Sequence, residues 1–108
     1  MRFDHIAQQV PDIAEAVEWI SATIDGSRVL FQDATWALVE AGGTKIALVV
    51  PEQHPAHIAY RVDPATLEQA AAERGATIAT HRDRTRSIYV EGPGQLCLEL
   101  ITYPDDDR

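Results

Sequence analysis

Phe3 to Val10 is β-like, and a period of two sets Ile6 and Val10 on one face and Phe3, His5, Ala7 and Gln9 on the other. The period then lengthens. Ile13, Ala16, Val17, Ile20 and Ile24 recur at helical spacing behind Asp12, which can cap the helix with Glu15 three residues on. Gly26 follows as a stop signal. Ser27 to Gln32, Trp36 to Glu40 and Thr44 to Val50 return to strand character, and Gly42-Gly43 supplies the positive φ of a tight hairpin turn. After a link from Pro51 to Pro55 the same order starts again. His57 to Val62 is a strand; Asp63 caps a helix with Pro64 in its first turn, Leu67, Ala70 and Ala71 as its apolar stripe and Gly75 at its end. Thr77 to Thr80, Ser87 to Glu91 and Gln95 to Ile101 complete the set, the last two joined at Gly92-Pro93-Gly94.

The two halves align at an offset of 52 residues. Asp4-His5-Ile6-Ala7 meets Ala56-His57-Ile58-Ala59, Val10 meets Val62, Gly42 meets Gly94, and Ile46-Ala47-Leu48 meets Leu98-Glu99-Leu100. The matches fall at corresponding elements, as in a duplicated supersecondary unit. The fold class expected is α+β: one domain over 1–108, built of two tandem βαβββ modules (1–51 and 56–104) whose mixed sheet forms a cup. Strand alternation puts Ile6 and Val10, then Ile58, Tyr60 and Val62, then Leu96, Leu98 and Leu100, on an aliphatic face under the helices. The opposite face carries His5, Gln9, His57, Arg61, Ser87, Tyr89 and Glu99.

Composition narrows the partners. A net charge of −8 argues against nucleic acid or an anionic membrane surface. No apolar run approaches the roughly 20 residues of a membrane span, and Met1-Arg2-Phe3-Asp4-His5 is not a signal peptide. The single Cys97 excludes an internal disulfide and fits a reducing compartment, so a cytoplasmic location is expected. The tail from Asp105 to Arg108 is expected to fray. Arg82, Arg84 and Arg86 form a basic cluster that either attracts a small anion or is simply solvated.

The stretches Phe3-Asp4-His5-Ile6-Ala7 with Val10-Pro11-Asp12-Ile13, His57-Ile58-Ala59-Tyr60 with Val62-Asp63, and Tyr89-Val90-Glu91-Gly92-Pro93-Gly94-Gln95 leading into Leu98-Glu99-Leu100 resemble the vicinal-oxygen-chelate superfamily. That superfamily includes glyoxalase I, methylmalonyl-CoA epimerase, extradiol dioxygenases, fosfomycin-resistance enzymes and bleomycin-binding proteins. Carried over residue by residue, the resemblance implies metal ligands at His5, position 47, His57 and Glu99. Position 47 is Ala47, so the four-ligand site of glyoxalase I and the epimerase is incomplete. Two histidines and a glutamate remain, the pattern seen in extradiol dioxygenases and fosfomycin-resistance enzymes. Such a face suits one divalent ion (zinc, Fe(II), manganese or nickel) and a small substrate with vicinal oxygens.

The His-Ile-Ala strands are most like the glyoxalase and epimerase branch. The function expected is therefore that of a lyase or isomerase stabilising an enolate or other oxyanion. An extradiol-type Fe(II) dioxygenase is the alternative, and a metal-free small-molecule binder of the bleomycin-resistance type is a third reading. Glu99, Tyr89 and His81 are the candidate catalytic groups. Tyr89 matches a substrate-contacting tyrosine of fosfomycin-resistance enzymes, and His81 is either an acid–base group or a surface histidine. Gln9, Arg61, Ser87 and Arg86 are candidate substrate contacts; Arg61 equally suits a structural ion pair with Glu91 or Glu99. Cys97 reads as a small buried hydrophobe. Relatives pair their chains, so a homodimer is expected, with Trp19 and Trp36 as core or interface residues.

Overall fold

The computed structural model describes residues 1–107. Strand β1 (Arg2–Gln9) leads to helix α1 (Ile13–Thr23), followed by β2 (Arg28–Gln32), β3 (Trp36–Ala41) and β4 (Thr44–Val49). The order recurs as β5 (His57–Arg61), α2 (Pro64–Arg74), β6 (Ala79–Thr80), β7 (Arg86–Glu91) and β8 (Cys97–Thr102). The chain is thus α+β, with two βαβββ runs as the periodicity predicts. Within the first run the strands lie in the order β2-β3-β4-β1, and within the second in the mirrored listing β5-β8-β7-β6. In both, the outer hairpins are antiparallel and the first and last strands are parallel. The chain packs as two compact units, residues 5–57 and residues 58 onward with residues 1–4.

Each helix begins where a carboxylate can take its free amides. Asp12 accepts from the Glu15 amide at 2.9 Å, and Asp63 from the Thr66 amide at 2.7 Å. The second helix closes on Gly75, whose left-handed backbone (φ 62°) lets the Ala76 amide reach back to the Ala71 carbonyl at 2.9 Å. The hairpin between β3 and β4 turns on Gly42 and Gly43, both at positive φ.

In the unit of residues 5–57, Ile13, Val17 and Ile20 of α1 pack on Ala37, Val39 and Leu48, with Val10 and Ile46 at the margin. In the other unit, Leu67 and Ala71 of α2 pack on Val62 and Ile88, with Val90 and Leu100 beside them. Of the expected aliphatic face, Val10, Val62 and Leu100 therefore lie under the helices. Five residues depart from the expected pattern. Leu96 is exposed, because the turn from Gly92 to Leu96 is closed by the Gly92 amide on the Leu96 carbonyl at 2.8 Å, and β8 begins only at Cys97. Ile6, Ile58, Tyr60 and Leu98 lie outside the helix-covered clusters; Tyr60 meets the edge of Phe3 instead, with ring centroids 6.2 Å apart. The predicted strand from Thr77 shortens to Ala79–Thr80.

Both tryptophans are exposed rather than in the core, Trp19 at 65% and Trp36 at 37%. Trp36 stacks on Phe31 across β2 and β3 at 4.6 Å. The chain's tail forms a 3-10 turn over Pro104–Asp107, and Arg108 lies outside the described residues. Among the described residues no helix is long and apolar enough to cross a membrane.

Leu67 is fully buried at the centre of its cluster. Leu67→Ala is expected to lower unfolding stability by about 2–5 kcal/mol through lost burial and an unfilled cavity. Urea denaturation followed by circular dichroism measures this; a loss below about 1 kcal/mol would show that α2 does not anchor its unit.

Candidate functional site

Strand pairing places the candidate residues. In the first unit β1 runs parallel to β4 with Ala7 opposite Ala47. In the second, β5 runs parallel to β8 with Ala59 opposite Glu99. These are the same positions of the repeat: the residue two after each histidine faces position 47 in one half and position 99 in the other. The register inferred from the sequence is the register of the sheet.

His57 heads β5 and is 7% exposed. Its Nδ1 lies 2.8 Å from the Pro55 carbonyl oxygen. A carbonyl only accepts, so Nδ1 donates this bond. The ring of His5 meets that of His57 edge-on, with centroids 5.5 Å apart. Gln9, on the same face of β1 as His5, is exposed and donates to the His54 carbonyl at 2.8 Å, fastening the loop before β5.

The second unit buries a polar group on the face away from α2. Antiparallel pairing sets Tyr89 opposite Glu99, and Ser87 opposite Ile101. Glu99 is 4% exposed and Ser87 is fully buried. The Tyr89 hydroxyl donates to the Glu99 carboxylate. Burial first, then the charge and hydrogen bond of Glu99, push the Tyr89 phenol well above its ordinary range, so it stays a neutral donor.

His81 joins this group from outside the strand pattern. A tight turn, closed by the His81 amide on the Thr85 carbonyl at 2.8 Å, brings its ring back over β7. His81 Nε2 is hydrogen-bonded to Ser87 Oγ at 2.8 Å and lies 3.9 Å from Glu99 Oε2. Ser87 appears in the sequence only as a polar residue on the inner register; the structure makes it the partner of His81. The sequence signal for this pairing is the close spacing of His81 and Ser87.

Two arginines have partners outside this group. Arg86 alternates with Ser87, so it points to the helix side and pairs with Glu68 of α2 at 3.2 Å. Arg61 lies over the ring of Tyr103 at 4.1 Å. Tyr103 in turn donates to Asp4 at 2.7 Å, tying the start of β1 to the segment after β8. Cys97 is buried; burial, then the charges of Glu91 and Glu99, raise its thiol, which makes it a poor nucleophile.

No protein-family model and no curated protein matches the sequence. Solved structures do. The chain superposes with a TM-score of 0.68 on the NAD-dependent benzaldehyde dehydrogenase from Legionella pneumophila, at 12% identity, covering 91% of this chain and 96% of that one. It superposes equally, at 0.68, on hypothetical protein BH1468 from Bacillus halodurans, at 18% identity and covering 94% and 93%. A glyoxalase/bleomycin resistance protein/dioxygenase from Alicyclobacillus acidocaldarius is matched at 15% identity over 95% and 92%, with a TM-score of 0.40. The first two show a shared fold; at these identities they say nothing of activity.

The Tyr103 phenol is raised above its ordinary value of 10.0, by burial first and then by its bond to Asp4 and that group's charge, with Arg61 opposing. A group protonated in the fold but ionised when unfolded favours unfolding as pH rises. Its contribution is therefore complete below about pH 10 and is lost above it. Stability should fall above pH 10 in the native chain and fall less steeply in Tyr103→Phe. Parallel urea titrations between pH 8 and 11 would reveal equal slopes if the tie to Asp4 were unimportant.

Proposed function

We propose that this chain is a small metal-dependent enzyme of the vicinal-oxygen-chelate superfamily, in which His5, His57 and Glu99 hold one divalent cation. One observation carries the reading: each of the three offers a ligand atom, and these atoms fall within 4.8 Å of one another. Strand β5 accounts for the grouping, since His57 heads it beside the His5 ring and Ala59, two residues on, pairs with Glu99. The donors suit such an ion. The Pro55 carbonyl accepts a hydrogen bond from Nδ1 of His57, which leaves Nε2 as the ring atom to offer a metal, the outer-sphere arrangement typical of histidine ligands. Two imidazoles and one carboxylate fit zinc, Fe(II), manganese or nickel.

When bound, the ion supplies a Lewis acid for a small substrate that presents vicinal oxygens. The chain's own residues supply the rest. Tyr89 remains neutral and can shift its hydrogen bond from Glu99 to an oxyanion forming nearby. His81, bonded to Ser87, would take and return a proton. This combination supports enolisation, the chemistry of a lyase, isomerase or epimerase. Ala47 favours one second reading, an extradiol-type dioxygenase, because a missing ligand leaves room for both substrate and dioxygen. A cytoplasmic setting and a homodimer meeting through exposed Trp19 and Trp36 complete the proposal.

Calorimetric titration of dialysed protein with Zn²⁺ or Mn²⁺ should give one equivalent bound. His57→Ala and Glu99→Gln should each weaken it at least about tenfold. A wild-type chain that binds neither ion would instead be a metal-free binder. Turnover in strictly anaerobic buffer would eliminate the dioxygenase, and obligatory oxygen uptake would overturn enolisation. Ala47→Glu should hold the ion as well or better if the reaction is enolisation, and should abolish an oxygenase by filling its open position. Light scattering at micromolar concentration should return twice the chain mass; a monomer would contradict the pairing.

A further inference from the structure

We propose that the turn carrying Arg82 and Arg84 is an anion-binding element that selects substrates with a second negative group, a carboxylate or a phosphate, beside Glu99 and His81. The inference rests on reading the Glu99 face as the substrate site, and it names the class of substrate that face accepts.

Three observations carry it. The first is position. Arg82 follows His81 directly, and the Arg84 amide donates to the His81 carbonyl at 2.9 Å. Both arginines therefore flank the residue whose ring lies 3.9 Å from Glu99 Oε2.

The second is charge. Arg86, the third arginine of the cluster, is paired with Glu68. The intervening Asp83 is committed to the turn, accepting from the Thr85 amide at 3.0 Å and the Thr85 hydroxyl at 2.6 Å. Among the described residues neither Arg82 nor Arg84 forms an ion pair, and both are exposed. In a chain of net charge −8, two unpaired guanidiniums extend from the turn that carries His81. Guanidinium forks match carboxylate and phosphate oxygens.

The third is strain. Among the described residues Arg84 is the non-glycine residue with positive φ, at 70°. That backbone disfavours a residue with a Cβ, and glycine would relieve it. A long cation at this position sacrifices stability, the pattern expected where a side chain is kept for what it binds.

The test compares three probes that share an α-hydroxy carboxylate: glycerate, which carries no second anion, malate, which adds a carboxylate, and 3-phosphoglycerate, which adds a phosphate. Affinities are measured by calorimetry for the full chain in excess Mn²⁺. Malate or 3-phosphoglycerate should bind about tenfold tighter than glycerate, as two charge-assisted contacts allow, and the tighter of the two identifies the group selected. The advantage should shrink in high salt. Combining Arg82→Gln with Arg84→Gly should bring the ratio near one and leave glycerate unchanged. Arg84→Gly alone should lower the ratio while raising Tm; a purely structural arginine would lower Tm. Arg74→Gln, which removes the same charge from the end of α2, should leave the ratio intact.

The proposal is overturned if neither second anion improves binding, if the advantage survives the double change, or if Arg74→Gln erodes it equally. If glycerate does not bind but a second-anion probe does, and loses its binding in the double variant, the metal reading fails and the turn's role stands.

Discussion

Glu99 is a carboxylate buried in a strand between Leu98 and Leu100, and most of the second unit's polar architecture answers to it. An ion removed from water costs several kcal/mol unless partners replace the lost hydration. The sheet delivers those partners by register. Antiparallel pairing sets Tyr89 directly across, where its hydroxyl donates to the carboxylate. Parallel pairing sets Ala59, a small residue, on the other side. The turn after β6 adds His81, fixed through Ser87. Remove the carboxylate and the neutral phenol and the His81–Ser87 pair would have no reason to be gathered on one buried face.

Duplication explains why one carboxylate stands here and not two. Position 47 and position 99 occupy the same place in the repeat, opposite Ala7 and Ala59. In the first half Ala7 and Ala47 are both buried and need no polar partner. A glutamate at position 47 would be a desolvated charge there. The halves differ in content: the first pairs two alanines at this place, and the second carries Glu99 with Tyr89 and His81 around it.

The features legible in the sequence are those that periodicity controls. Alternation put His57, Tyr89, Ser87 and Glu99 on the face away from the helices, and the 52-residue offset fixed their register, because a strand admits only two faces. What periodicity does not control stayed hidden. His81 reaches Ser87 through a turn whose path depends on Arg84 at positive φ, which no hydrophobic pattern encodes. Arg86 and Arg61 were legible as cations near a strand. Their partners, Glu68 on α2 and Tyr103 beyond β8, come from other elements and are chosen by tertiary packing. Leu96 read as a strand residue because alternation continues into it; the hydrogen bond that closes the turn on it excludes it from β8.

The same divergence appears at the outer strands, where a sheet must keep its unpaired backbone from templating other chains. The first half ends its strand order on β2, five exposed residues including Val29, Leu30 and Phe31, interrupted by a bulge between Val29 and Phe31. The bulge twists the strand and breaks its regular ladder. The second half ends on β6, cut to Ala79 and Thr80. The short β6 is joined to β7 by the turn from His81 to Thr85. That turn places His81 within reach of Glu99 and carries the two unpaired arginines. The catalytic candidates of this chain thus collect in the half whose edge was cut short, and the apolar edge was retained in the half that carries none of the acid–base groups.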